Sequence, residues 1–81
     1  MLSHLKNSPK VIGIKQSLKA IRDGAAQRIY IAQDASDKLA APVFRLCDET
    51  GVEVVPVPTM KQLGDACGIE VGAAVAAVIR R

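Results

Sequence analysis

The chain has 81 residues, 49% of them hydrophobic, and a net charge of +3. A chain of this length buries only about 60% of the surface that its unfolded form exposes, so we expect one domain, residues 1–81, with little room for a deep pocket. Tyr30 and Phe44 are its only aromatic residues, which argues against nucleic-acid modules that stack several bases on aromatic rings.

The charges are spread unevenly along the chain. Residues 1–28 hold six cations and one acid, residues 29–70 hold three cations and seven acids, and Arg80 and Arg81 close the chain. A basic first third indicates a polyanionic partner. A basic face that is merely solvated is nearly as common in small proteins, so the partner must be argued from other features.

In the first half of the chain, the predicted elements alternate between helix and strand. A short helical segment over residues 3–8, before about residue 10, should end at Pro9, because proline disfavours helical geometry at the preceding residue. A short strand over residues 10–14 leads into a helix from about Lys15 to Asp23, which stops at Gly24. The β-branched and aromatic residues between Gln27 and Gln33 predict a second strand.

The same alternation continues in the second half. Proline fits only the first turn of a helix, so Pro42 should open a helix that runs to Gly51 and buries Val43, Leu46 and Cys47. Residues 52–57 predict a strand, and Pro56 places it at a sheet edge, because proline cannot donate a ladder hydrogen bond. The capping-box spacing of Thr59 and Gln62 predicts a short helix over residues 60–67.

The last segment is ambiguous. Val71, Val75, Val78 and Ile79 keep helical spacing, yet their β-branched side chains also suit a strand that is buried on both faces. Periodicity alone favours a helix. The alternation predicts an α/β fold with helices on both sides of one sheet, and residues 27–57 predict a right-handed parallel crossover.

No group of residues predicts catalytic chemistry. His4 is the only histidine, the adjacent acids Asp48 and Glu49 point in different directions on a helix, and the Gly-rich phosphate-binding motifs are absent. Cys47 and Cys67 lie among apolar neighbours, which predicts buried thiols in a reducing compartment. No N-terminal apolar run has the length that a signal peptide requires, and the longest apolar stretch, residues 73–79, is far shorter than the ~20 residues that span a bilayer. We therefore expect a cytoplasmic protein that is not an enzyme and uses no metal, cofactor or small-molecule substrate.

The segment GIKQSLK, residues 13–19, carries the clearest functional signal. On a helix, Lys15, Lys19 and Arg22 fall within one narrow stripe, about 100° around the axis from the apolar face. The helix start adds free backbone N–H groups and a positive dipole end. The carboxamide of Gln16 can both donate to and accept from a base edge. An exposed polar helix start without a ligand is an equally good interpretation of these residues alone.

Four ordered motifs resemble a known family. They are GIKQSLKAI at residues 13–21, IAQD at 31–34, LCDE at 46–49 and LGDACGIEVGAA at 63–74. Together they are similar to the kink-turn RNA-binding ribosomal proteins that include archaeal L7Ae, and most closely to the small bacterial members. The resemblance covers about residues 11–79. It implies a single-domain, three-layer α/β/α sandwich with a mixed four-stranded sheet, in which the last segment is a strand.

The resemblance also implies a partner and a site. Members bind RNA kink-turns, in which a bulge beside sheared G·A pairs bends the helix and opens a groove that regular A-form RNA hides. Lys15 and Gln16 occupy the places of an Asn-Glu pair that faces the G·A guanines in archaeal members, and Lys19 matches a lysine near the RNA backbone. The implied RNA-binding residues, together with Arg22 of the stripe, are Gly13, Ile14, Lys15, Gln16, Lys19, Arg22, Ile69, Glu70 and Val71.

The expected function is therefore stabilisation of kink-turn RNA in ribosomal or regulatory contexts, by a monomer. The rival is a protein-interaction adaptor whose basic helix face binds an acidic partner. A third hypothesis, a nucleotide-binding α/β domain, lacks a phosphate loop.

Overall fold

Each helix of the fold follows a strand directly. The computed structural model describes residues 7–80. Its elements are β1 (Lys10–Ile12), α1 (Ile14–Arg22), β2 (Ala26–Ala32), α2 (Asp37–Thr50), β3 (Glu53–Val57), α3 (Met60–Cys67) and β4 (Val75–Ile79). Most of the helical segment predicted over residues 3–8 lies outside the described residues, as does His4. No helix within residues 7–80 is long and apolar enough to cross a membrane.

The four strands form one mixed sheet in the order β1-β4-β2-β3. β4 pairs antiparallel with both β1 and β2, whereas β2 and β3 are parallel and connected through α2. The predicted parallel pairing of residues 27–57 is thus confirmed. β3 is an edge strand, as Pro56 indicated. An edge strand pairs with one neighbour only, so it tolerates a residue that has no N–H to donate.

The helices cover both faces of the sheet. α1 and α2 pack on one face, where Ile21, Ile29 and Val43 are buried. α3 packs on the other face, where Leu63 is buried. This arrangement confirms the three-layer α/β/α sandwich. Cys47 and Cys67 are buried free thiols on opposite faces, and burial raises the pKa of each.

The ambiguous C-terminal segment is a strand, so the helix that periodicity favoured is wrong. β4 lies between β1 and β2, and Val75 and Ala77 pack toward α1 and α2 while Ala76 and Val78 pack toward α3. A strand that is buried on both faces shows no alternation of polar and apolar residues. The spacing of its valines therefore resembled a helix by coincidence.

The start of α2 also differs from the sequence prediction. The helix begins at Asp37, and Pro42 lies within its second turn. The amide hydrogen that proline lacks would have bonded to the carbonyl of Lys38. Lys38 and Pro42 are both exposed, so the lost bond falls on the solvent side. The first turn keeps its own bonds, because the Ser36 carbonyl accepts from the N–H groups of residues 39 and 40.

α3 has the predicted bounds and the predicted cap. The Thr59 hydroxyl accepts from the Gln62 N–H at 3.0 Å. Gly68 ends the helix in the left-handed region, with φ +82°, which glycine adopts without steric cost.

Candidate nucleic-acid interface

All three helices begin at the same edge of the sheet. β1, β2 and β3 each end there and lead into α1, α2 and α3, while β4 begins there. The register confirms it, since Ile12 pairs with Ala76, Ile31 with Val75, and Ala32 with Val57. We call this the carboxyl edge, formed by residues 13–16, 33–36, 58–60 and 68–74. Three helix dipoles direct their positive ends toward it, which favours an anionic ligand.

Backbone hydrogen bonds hold the chain segments of the carboxyl edge together. The Gly13 N–H donates to the Val75 carbonyl at 2.9 Å, which joins the start of α1 to the start of β4. The Ala73 N–H donates to the Met60 carbonyl at 3.0 Å, which joins the loop before β4 to the start of α3. The predicted site residues of α1 and of the loop thus lie at the same edge of the sheet, although they are far apart in sequence.

The first turn of α1 presents polar side chains to solvent. Gly13, at its N-cap, has φ +107°, a conformation that residues with a Cβ rarely adopt. Lys15 and Gln16 are exposed, and the first turn holds no acidic residue. Ile14 is half-buried and packs against the α1–α2 core, which fixes the angle of the helix on the sheet.

The predicted cationic stripe is divided by the packing of α1. Lys19 lines a cleft beside β1 together with Gln16, whereas Arg22 lines a cleft toward α2. The Lys19 ammonium also donates to the Asp23 carboxylate at 2.9 Å, with both side chains more than half exposed. An exposed pair of this kind is worth about 0–1 kcal/mol, so it leaves the ammonium available to a phosphate.

The loop of residues 69–71 presents an apolar surface beside this helix start. Ile69 is half-buried against the α3 side of the core, Glu70 is exposed, and Val71 is 70% exposed. A valine that is held in place and yet exposed to this degree offers area for an apolar contact with a base.

Two glycines that were not among the predicted site residues position this loop. Gly64 of α3 lies so close to the loop that a Cβ there would overlap the carbonyl oxygen of Val71. A Cβ at Gly72 would lie 3.2 Å from the Cβ of Met60. Both glycines permit the loop to pack directly on α3. The glycines within the LGDACGIEVGAA motif were the available signal, but they do not reveal which backbones approach one another.

Asp34 also lies at the carboxyl edge, and it was not among the predicted site residues. Its carboxylate accepts from the Met60 N–H at 2.8 Å, so it joins the end of β2 to the first turn of α3. The available signal was its position directly after a predicted strand, followed by turn residues. The carboxylate satisfies one of the four N–H groups that a helix start leaves unbonded.

The carboxyl edge thus offers backbone N–H groups, ammonium groups, one carboxamide and an apolar side chain. Among residues 7–80, no group of three or more histidine, cysteine, aspartate or glutamate side chains is arranged to hold a metal ion. These groups suit recognition of an anionic polymer by charge, hydrogen bonding and packing.

Comparisons with known proteins agree with this geometry. An RNA-binding protein of Bacillus pumilus is 46% identical over 69 residues, which are 85% of this chain and 84% of that protein. An RNA-binding protein of Caldanaerobacter subterraneus subsp. tengcongensis is 44% identical over 68 residues, 84% of this chain and 83% of that protein. The large ribosomal subunit protein eL8 of Halobacterium salinarum is 41% identical over 68 residues, 83% of this chain and 57% of that protein.

Solved structures show the same architecture. The 15.5kD RNA binding protein of Giardia lamblia superposes with a TM-score of 0.92 at 26% identity, covering 99% of this chain and 71% of that one. A Bacillus halodurans protein of unknown function superposes with a TM-score of 0.90 at 23% identity, covering 98% and 83%, and shows the fold alone. The model of the Ribosomal protein L7Ae/L30e/S12e/Gadd45 family matches residues 2–81, so this chain belongs to that family.

Proposed function

We propose that this chain binds RNA through its carboxyl edge and that its target is a kink-turn with sheared G·A pairs beside a bulge. The observation that carries the proposal is the pair of backbone hydrogen bonds, from Gly13 to Val75 and from Ala73 to Met60, that hold the start of α1 and the loop before β4 at the same edge of the sheet. Relatives over most of this chain are named RNA-binding proteins, which supports the same partner.

Each side of the surface has a distinct role in this proposal. Lys15 and Gln16 face the guanines of the G·A pairs. Gln16 accepts from guanine donors through its carbonyl oxygen, and this bond lacks the charge assistance that a glutamate would provide. Lys19 and Arg22 contact phosphates, which position the RNA without reading its sequence.

The loop supplies the apolar part of the contact. Val71 packs its exposed side chain against the bulged nucleotides, Ile69 supports it from beneath, and Glu70 lies between them. Gly13 and Ile14 set the direction in which α1 enters the groove. Binding then selects the kinked conformer of a flexible RNA. The target is a ribosomal or regulatory RNA. The protein binds it as a monomer, and residues 1–81 act as one RNA-binding domain.

The test is a titration of two RNAs at fixed salt, a kink-turn and the same RNA with its G·A pairs replaced. The kink-turn should bind more tightly. If four to five phosphates are neutralised, log K should fall against log salt with a slope of roughly −3 to −4.5. Equal affinity for both RNAs would refute the proposal, and absence of RNA binding would favour the protein-interaction adaptor.

Two substitutions separate base recognition from charge. Gln16→Ala should weaken the kink-turn complex and leave the weak binding of the G·A-replaced RNA unchanged, because only the former presents guanine edges to the carboxamide. Lys19→Gln should weaken both RNAs by a similar factor, because phosphates are common to them. Arg80→Gln is the matched control, since it removes a cation from the opposite edge of the sheet.

A further inference from the structure

Two arginines from different helices line one cleft. Arg22 of α1 and Arg45 of α2 face a cavity of about 170 Å³ that Leu18, Pro42, Leu46 and Glu49 also line. Arg45 was not among the residues that the sequence indicated. The two helices pack side by side on the same face of the sheet, and both run away from the carboxyl edge.

The charges of this cleft are unbalanced. Neither arginine makes an ion pair within residues 7–80. Two guanidinium groups and the single carboxylate of Glu49 leave an excess positive charge at the cleft. Leu18, Pro42 and Leu46 form the apolar wall beside them, and both arginines are exposed to solvent, where an anion can reach them. A guanidinium offers a planar pair of donors that matches two oxygens of a phosphate.

The cleft also lies in line with the proposed RNA surface. Lys15 and Arg22 are seven residues apart on α1, which corresponds to about 10 Å along the helix axis. A nucleic-acid stem that is seated on the first turn of α1 and continues along that helix passes over the cleft. A free anion would contact the cleft alone, whereas an RNA stem would contact both the cleft and the first turn of α1.

We propose that Arg22 and Arg45 together bind a backbone phosphate of the RNA stem that leaves the kink along α1. This inference rests on the proposed function and adds to it a contact outside the kink itself. Glu49 opposes the contact, because its carboxylate lines the same cleft and repels the phosphate. Affinity then depends on the length of that stem as well as on the G·A pairs.

The experiment uses the full chain and a series of kink-turn RNAs in which each stem is shortened in turn. Arg45→Gln should weaken binding of the RNA with both stems long, and shortening one particular stem should abolish the difference from wild type. One phosphate contact contributes about 0.8 to the magnitude of the slope of log K against log salt. Loss of that contact should therefore reduce the binding constant about sixfold at 0.1 M salt and reduce the magnitude of the slope by about 0.8.

Two further variants test the chemistry of the cleft. Glu49→Gln should strengthen binding of the long-stem RNA several-fold and leave the short-stem RNA unchanged, which loss of structure could not do. Arg80→Gln should have no stem-dependent effect. Urea unfolding of Arg45→Gln verifies that its fold is intact.

The outcomes distinguish the two proposals. If Arg45→Gln behaves like Arg80→Gln on every stem length, or weakens long and short stems alike, the phosphate contact is wrong. Equal binding of wild type to RNAs with and without G·A pairs would instead overturn the proposed function, whatever Arg45→Gln does.

Discussion

Replacing Gly64 with alanine should displace the loop that the proposed interface needs. A Cβ at this position would overlap the Val71 carbonyl oxygen and lie 3.1 Å from the Cα of Gly72. These are backbone atoms, so no side chain can turn away to make room. The loop must move outward, or α3 must move away from it.

The effect on stability is the difference of two opposing terms. Alanine favours a helix over glycine by about 1 kcal/mol, whereas overpacking of a well-packed site costs about 1–3 kcal/mol. The free energy of unfolding should therefore fall by roughly 0–2 kcal/mol. In a domain of this size each kcal/mol lowers Tm by about 4–8 °C. Urea unfolding followed by circular dichroism measures the change.

The effect on RNA binding follows from the exposure of Val71. Burying a whole valine side chain is worth about 1.5 kcal/mol, and 70% of this one is exposed, so its contact with RNA contributes roughly 1 kcal/mol. Loss of the contact should weaken binding about fivefold. Kink-turn RNA titrated at constant salt gives the affinity.

Gly51→Ala is the matched control. Gly51 has φ +76° with no atom near the added Cβ, so alanine there costs about 1–2 kcal/mol through backbone strain alone. It lies after α2, at the opposite edge of the sheet from the loop. If Gly64→Ala reduced RNA affinity no more than Gly51→Ala, the position of the loop would be irrelevant to binding.

Three further predictions concern single contacts. Asp34→Ala should destabilise the fold by about 1 kcal/mol in urea unfolding, because the Met60 N–H loses a charged acceptor, and Asp34→Asn should restore most of that loss; equal losses would contradict it. Asp23→Asn should change stability by less than about 0.5 kcal/mol but raise RNA affinity at low salt, because Lys19 loses a competing carboxylate, and a gain that persisted at high salt would be inconsistent with screening. Burial raises the pKa of the Cys47 thiol above its ordinary value of 9.0 and also raises the pKa of Cys67, so the unfolded chain loses these protons first and stability should fall as pH rises above about 9. Cys47→Ala should reduce this decline and the double variant Cys47→Ala with Cys67→Ala should remove it; an undiminished decline in the double variant would contradict the assignment.

The prediction that the chain is not an enzyme is confirmed by its membership of a family of non-enzymatic RNA-binding proteins. The prediction rested on the single histidine, the diverging side chains of Asp48 and Glu49, and the absence of Gly-rich phosphate-binding motifs. Family membership decides the matter independently of that argument.

Most of the helices and strands could be predicted from the sequence, because their ends depend on local chemistry. Thr59 and the glycines at 51 and 68 mark helix ends because caps and left-handed conformations depend on neighbouring residues alone. The predicted start of α2 at Pro42 was wrong, because the energetic cost of a proline inside a helix depends on whether the lost hydrogen bond faces solvent. Periodicity wrongly favoured a helix for the segment of β4, because burial on both faces depends on the strands beside it.

Some residues of the candidate site could likewise be predicted from the sequence, and others only from the tertiary structure. Lys15, Gln16 and Lys19 were visible in sequence, since one short helix start displays them together. Gly64 and Val71 are close in sequence but meet only because the loop folds back onto α3. The bond from Met60 to Asp34 and the cleft shared by Arg22 and Arg45 join residues that are distant in the chain. Only the order and register of the strands bring such residues into contact, because strand pairing is set by the whole core and not by any one segment.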